Sequence, residues 1–293
     1  GTGTNIYVFA KGYGDDTVQR AVSNSYNIVR LDGLNYEDVT FIQKNRRVTG
    51  GSDAADLLIR INETGETMTI IYGIQSAYSA DITDRRIQAV EFGNGEVLPF
   101  AEIMQKGLHA TKDSDTIILQ GDCVFYGTDG NDVIKCGNGN HTVYGGLGND
   151  TITGGTGNNI LHGGPGDDTL KGGASGTNIY VFAKGYGNDT VETGGANSQD
   201  IVRLEGLNYD DVMFIQKTRR ASGGRDVSDM LIRINETGET MTILNGIESV
   251  YFRDIDKYCI QAVEFADGTT MTYTEILQNG IHAVTDSGKI ALY

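Results

Sequence analysis

Between Gly127 and Lys171 the chain reads GTDGNDVIK, CGNGNHTVY, GGLGNDTIT, GGTGNNILH and GGPGDDTLK, five nonads in succession without a gap. Glycine recurs at the second and fourth places. Asp, Asn or His fills the sixth, and an aliphatic residue fills the eighth: Ile134, Val143, Ile152, Leu161 and Leu170. A nonad is too short for a helical repeat unit. It suits a tight turn followed by a very short strand, stacked as a solenoid. Glycine meets the demand of such a turn for φ > 0, which a side chain penalises. One aliphatic residue per strand then builds a thin core between two sheets.

These five nonads resemble the RTX, or haemolysin-type calcium-binding, nonapeptide repeat. The resemblance implies a parallel β-roll in which two nonads complete one coil. It implies calcium between turns stacked along the same edge, held by sixth-place carboxylates and backbone carbonyls. Such oxygen donors suit a hard cation.

The phase of the repeat adds to this. With two nonads per coil, residues 18 apart share an edge. One edge then carries Asp132, Asp150 and Asp168. The other carries Cys123, His141, Asn159 and, after a one-residue slip, Asn178, and is expected to hold no carboxylate. Like charges stacked one coil apart repel unless a cation lies between them. A one-sided calcium ladder is therefore expected, against the alternative that all these residues are ordinary solvated turn Asp and Asn. Asp189 returns to the Asp edge if one slip falls near Ala174-Ser175 and two fall at Phe182-Ala183. The resemblance assigns the carbonyl walls to Gly127, Asp129 and Gly130; to Gly145, Gly146, Leu147 and Gly148; to Gly163, Gly164, Pro165 and Gly166; and to Lys184 and Tyr186. On the other edge His141 offers nitrogen, a poor calcium ligand, and Asn159 and Asn178 offer neutral oxygens. That edge is expected to hold fewer ions or none, its turns being held by side-chain hydrogen bonds.

A duplication flanks the nonads. GTNIYVFAKGYGDDTV at Gly3 returns as GTNIYVFAKGYGNDTV at Gly176, and the offset holds without a gap through His109 and His282. The fold class expected is all-β, a parallel β-roll flanked by two homologous β-rich modules, with boundaries at 1–117, 118–192 and 193–293. In each module, runs of Val, Ile, Phe and Thr are separated by Gly, Asn and Asp turns. Asn62 to Glu66 reads as a hairpin loop, as does Phe92 to Gly95. Short helices are expected over Phe100–Gln105 and Tyr273–Gln278, closed by Gly107 and Gly280. The blocks VRL-x-GLNY-x-DV-x-F, DLLIRI or DMLIRI, and VEFADGTTMTYTEI resemble the haemolysin-type calcium-binding-related domain found beside RTX repeats. That resemblance implies structure, not chemistry. Between Gly107 and Tyr126 the repeat is degenerate, and Phe125 at an eighth place reads as a cap on the end of the roll.

The formal charge of −16 disfavours nucleic acid and anionic membrane as partners and favours cations. No apolar run is long enough for a transmembrane helix, and no signal peptide is visible. The opening GTGTNIYVF reads as mid-repeat, so a longer parent protein is expected. Three cysteines, Cys123, Cys136 and Cys259, are too few for a disulfide framework, and Cys123 and Cys136 are expected as thiols in preference to a bridge. No HExxH helix, no GxSxG elbow and no Asp-Pro bond occurs. The four histidines are scattered, and Glu63 and Glu66 read as a solvated hairpin tip. The expectation is a non-enzymatic calcium-binding segment, Ca2+ its cofactor, in a secreted or surface-attached repetitive bacterial protein. Two alternatives remain open: the C-terminal secretion and folding module of an RTX toxin or enzyme, and a carbohydrate-binding module. A host-surface or glycan ligand is left open.

Overall fold

A computed structural model describes residues 3–19, 25–47, 53–74, 87–111, 116–220, 226–247, 259–284 and 290–291. The chain divides into two compact units, Gly1–Thr128 and Asp129–Tyr293. Strands dominate both.

In the second unit the nonads form two parallel stacks. One is Val133–Cys136, Thr151–Thr153, Thr169–Lys171 and Asn188–Glu192; the other is His141–Tyr144, Asn159–His162, Ser175–Ala183 and Asn197–Glu205. The registers align the eighth-place residues. Ile134, Ile152, Leu170 and Val191 form one row, and Val143, Leu161, Tyr180 and Val202 the other. All eight are fully buried. Burying one such aliphatic side chain contributes roughly 1.5–3 kcal/mol, so two facing rows suffice for a core only one side chain deep on each sheet. Between the strands, turns stack on turns. The Gly148 N–H reaches the Pro165 carbonyl and the Gly166 N–H reaches the Tyr186 carbonyl, at 3.0 and 3.1 Å. Gly166, at φ 155°, lies against the Gly148 carbonyl so closely that a Cβ there would collide with it. Only glycine permits that spacing.

Neither stack ends at the last nonad. The first continues through Thr240–Ile247 into an antiparallel meander, Asp226–Ile234 and Val212–Arg220. The second continues through Ala262–Glu264 to Thr270–Thr272, followed by the helix Tyr273–Gly280. That helix is capped by Thr272, whose hydroxyl accepts the Glu275 N–H. It runs two residues past the expected Gln278 and takes in Gly280, with Ile281 as its C-cap.

The first unit repeats this module. Thr4–Ala10, Tyr26–Asp32 and Ala89–Glu91 are parallel, and Val97–Pro99 closes the sheet antiparallel to the last of them. A second sheet runs Asp16–Val18, Thr67–Ile74, Asp53–Ile61, Val39–Arg47, Leu108–His109 and Cys123–Tyr126. The helix is Phe100–Lys106. Phe9, Leu31, Phe41, Ile59 and Ile70 are buried here, and so are their counterparts Phe182, Leu204, Phe214, Ile232 and Ile243. The two expected hairpin loops lie where the sequence puts them, after Ile61 and after Glu91. Phe125 is not an end cap. Its strand pairs in parallel with Leu108–His109, which supplies the partner that an open solenoid end would lack. The three cysteines are buried thiols, and burial pushes that of Cys123 up to about 12. Among the described residues no helix is long and apolar enough to cross a membrane.

Candidate metal centre

The sixth-place aspartates of one edge come together as a continuous ladder. The backbone N–H of Asp132 donates to Asp150 Oδ1 at 2.8 Å, that of Asp150 to Asp168 Oδ1 at 2.7 Å, and that of Asp168 to Asp189 Oδ1 at 3.0 Å. All four aspartates are at most 3% exposed. The Oδ1 atoms of Asp150, Asp168 and Asp189 are thus used in holding the preceding coil. The Oδ2 atoms of Asp150, Asp168 and Asp189 are buried with no hydrogen-bond partner. A buried carboxylate oxygen without a donor is costly.

The electrostatics agree with that geometry. Burial pushes the Asp150 carboxyl up to about 7, with Asp168 and Asp132 adding repulsion against the lowering by the Asp132 N–H. Burial lifts Asp168 to about 6, helped by Asp167. Burial lifts Asp189 to about 8, with Asp168, Asp167 and Glu239 adding to it. Two of the orphaned oxygens lie close against glycine turns. A Cβ at Gly145 would collide with Asp150 Oδ2 and lie 2.5 Å from the Gly163 carbonyl, and one at Gly163 would collide with Asp168 Oδ2. So glycine at these two places lets oxygen approach the turn, a carboxylate and a carbonyl at Gly145 and a carboxylate at Gly163. No group of three or more His, Cys, Asp or Glu side chains gathers among the described residues. Backbone carbonyls must therefore complete any cage. This all-oxygen donor set fits a calcium ion.

The carbonyl walls expected from the sequence take these places. Gly145, Gly146, Leu147 and Gly148 face Gly163, Gly164, Pro165 and Gly166 across stacked turns, tied by the Gly146 N–H to Gly163 O bond at 3.2 Å as well as those already given. A Cβ on Gly148 would come within 2.8 Å of the Gly130 carbonyl carbon, which places Asp129 and Gly130 in the turn stacked below. Gly127 belongs to the first unit. Lys184 and Tyr186 lie in the last turn of the ladder, where the Tyr186 carbonyl accepts the Gly166 N–H.

Three features of this site lie beyond the nonad phase. Fifth-place residues make a second ladder beside the first, running in the opposite sense. Asn131 Oδ1 accepts the Asn149 N–H, Asn149 Oδ1 the Asp167 N–H, and Asp167 Oδ1 the Asn188 N–H, at 2.7 to 3.0 Å. The signal was present, since every nonad has Asn or Asp at its fifth place. Second, the tip of the module hairpin is solvated as expected, yet it has partners. Glu239 accepts the N–H groups of Gly185 and Gly187 at 3.0 and 3.3 Å, and Glu236 pairs with Lys184 at 2.6 Å. The first copy repeats this with Glu66 on Gly12 and Gly14, and Glu63 on Lys11. Both glutamates at the tip thus hold the turn that would wall the last cage.

The third feature corrects the expectation that the opposite edge lacks a carboxylate. His141, Asn159, Asn178 and Asp200 are in register along it. Asp200 is 1% exposed and accepts from Asn178 Nδ2, Tyr180 Oη, Ser198 Oγ and the Gly194 N–H. Tyr180 replaces an aliphatic residue in the core row, and its hydroxyl finds Asp200 at 2.7 Å. Two histidines do packing work instead: His109 stacks on Tyr126 and His162 on Tyr144. Burial holds both below the usual imidazole range, His162 at about 4.

Residues 124–152 and 144–175 match the RTX calcium-binding nonapeptide repeat, and residues 229–275 match the haemolysin-type calcium binding protein related domain. The chain carries RTX repeats. The match to the related domain falls in the module that extends the roll sheet and includes the Glu239 clamp. No curated protein matches the chain. Among solved structures, the extracellular lipase LipA of Serratia marcescens is 14% identical with a TM-score of 0.28, over 89% of this chain and 39% of the lipase. The chain thus spans well under half of that protein's length.

Proposed function

We propose that the RTX roll binds calcium along its Asp edge, with one ion for each of the pairs Asp132/Asp150, Asp150/Asp168 and Asp168/Asp189, and that this binding completes its folding. The observation that carries the reading is the row of buried, partnerless Oδ2 atoms, those of Asp150 and Asp168 lying against glycine turns. Without a cation, three carboxyls must either hold protons at neutral pH or bury uncompensated charge. With one, each cage gains attraction from two carboxylates and oxygen from two turns.

Extracellular modules bind calcium with Kd on the order of 10⁻⁴–10⁻³ M. At millimolar calcium each site then stabilises the folded state by roughly 0.4–1.4 kcal/mol. Sites that share Asp150 and Asp168 fill cooperatively. Such weak sites stay empty at cytosolic calcium, which suits a segment that folds after export. We read the segment as a structural or adhesive part of a secreted, repetitive protein, not a catalytic one. The two copies of the module support this, since both bury the same core and repeat the same clamp. Isothermal titration of the full chain with calcium tests the binding. Three cooperative sites with a gain of β signal in circular dichroism are expected, and no heat and no change in signal would refute the reading.

A further inference from the structure

The two edges of the roll place different atoms at the same position of the turn. On the Asp edge this is an oxygen with no donor. On the opposite edge it is an amide nitrogen. Asn159 Nδ2 donates toward the Gly155 and Gly157 carbonyls, each at 3.2 Å, and toward Asn178 Oδ1 at 3.1 Å. Those carbonyls belong to the second and fourth places of its own nonad. Asn178 repeats the arrangement one coil on. Its Nδ2 donates to Asp200 Oδ1 at 3.0 Å and to the Gly173 carbonyl at 3.4 Å, while its Oδ1 accepts the Gly173 N–H at 3.0 Å. Both asparagines are fully buried. The Asn159 amide nitrogen faces three acceptors, which fixes its orientation, since turned over its oxygen would meet them; its Oδ1 is left buried without a hydrogen-bond partner, pointing away from the turn carbonyls.

A centre that draws together turn carbonyls and the side-chain oxygen of the next coil does what a calcium ion does in an oxygen cage. We infer that the Nδ2 groups of Asn159 and Asn178 occupy the cation positions of this edge, so that it is an ion-free ladder. Asp200 anchors its far end, satisfied by four donors of its own. The choice between cation and amide is made by the sixth-place residue alone, because fifth-place ties hold the turns alike on both edges. On this edge Asn140 Oδ1 accepts the Asn158 N–H and Asn158 Oδ1 the Thr177 N–H, both at 2.9 Å. An Asp at positions 159 and 178 would remove the nitrogen, add two facing carboxylates and open a further calcium site.

This inference rests on the calcium reading of the Asp edge, and the experiment separates the two. Bound calcium per chain is counted by equilibrium dialysis and atomic emission for the wild type, for Asn159→Asp/Asn178→Asp and for Asn159→Ser, with circular dichroism of each. The double variant is expected to bind one ion more than the wild type. Asn159→Ser is expected to keep the wild-type count while unfolding at lower temperature in chelator. A double variant that folds in calcium with an unchanged count overturns the inference, as does one that stays unfolded at saturating calcium. A wild type that binds more than three ions overturns it too, because the Asn edge would then hold some of them. A wild type that binds none instead defeats the reading of the Asp edge.

Discussion

Calcium and protons should compete for the Asp edge, which reverses the pH dependence of stability according to whether calcium is present. Burial pushes the carboxyls of Asp150, Asp168 and Asp189 up to about 7, about 6 and about 8 in the fold, from 3.8 in a free chain. A carboxyl whose folded value is raised contributes stability that is fully present below its unfolded value. It loses that stability as pH rises through the folded value. In chelator, then, the roll should be most stable near pH 4 and lose stability steadily up to pH 8. Carrying Asp150 ionised at pH 8 costs at most roughly 4 kcal/mol, and less with solvent screening at the turn. For the three groups together, with allowance for solvent at the turn surface, roughly 5–10 kcal/mol is lost, comparable to the whole stability of a domain. The calcium-free roll should therefore be folded at pH 5 and largely unfolded at pH 8. Calcium binds the ionised form, so in millimolar calcium the order reverses and stability rises with pH. Asp150→Asn keeps the acceptor for the Asp132 N–H but removes one charge. It should raise stability in chelator at pH 8 by a few kcal/mol and lose most of the gain from calcium. Thermal melts by circular dichroism at pH 5 and 8, each with calcium and with chelator, supply the comparison. A wild-type roll more stable at pH 8 than at pH 5 in chelator would refute the argument.

Gly145→Ala should abolish binding at the cage beside Asp150, because its methyl meets Asp150 Oδ2 and the Gly163 carbonyl; titration calorimetry should show the loss of one site or more. Asp150→Ala should weaken calcium binding more than Asp132→Ala, since Asp150 lies in two pairs, and His141→Ala should change affinity little; competition with a fluorescent chelator ranks the three. Glu239→Ala frees the N–H groups of Gly185 and Gly187, so the cage at Asp168/Asp189 should lose affinity several-fold while the cage at Asp132/Asp150 keeps its own. In chelator at pH 8, hydrogen exchange should be slow near Ile59 and Ile232, within strands that bury their own apolar residues, and fast from Val133 to Lys171; uniform exchange over both regions would contradict this.

The nonad period by itself determined which residues share an edge and which face the core. In a solenoid each residue's neighbour is the one a fixed number of places away. Asp132, Asp150 and Asp168 therefore follow from counting, as do the buried rows through Ile152 and Leu161. The 173-residue offset likewise predicted two modules with the same strands, hairpin loops and helix. Where the period breaks, counting fails. Asp200 joins the edge of Asn159 and Asn178 only because the strand Asn197–Glu205 pairs with Ser175–Ala183. Glu239 reaches Gly185 only because the strand Thr240–Ile247 lies beside Asn188–Glu192. Phe125 is covered in the same way, by a strand from the preceding module. The sequence also marked Asn159 as neutral without showing that its amide nitrogen would point into the turn. Local spacing decides the repeat because each coil sees only the next. Long-range strand pairing decides the rest, and with it where Asp200 finds its donors.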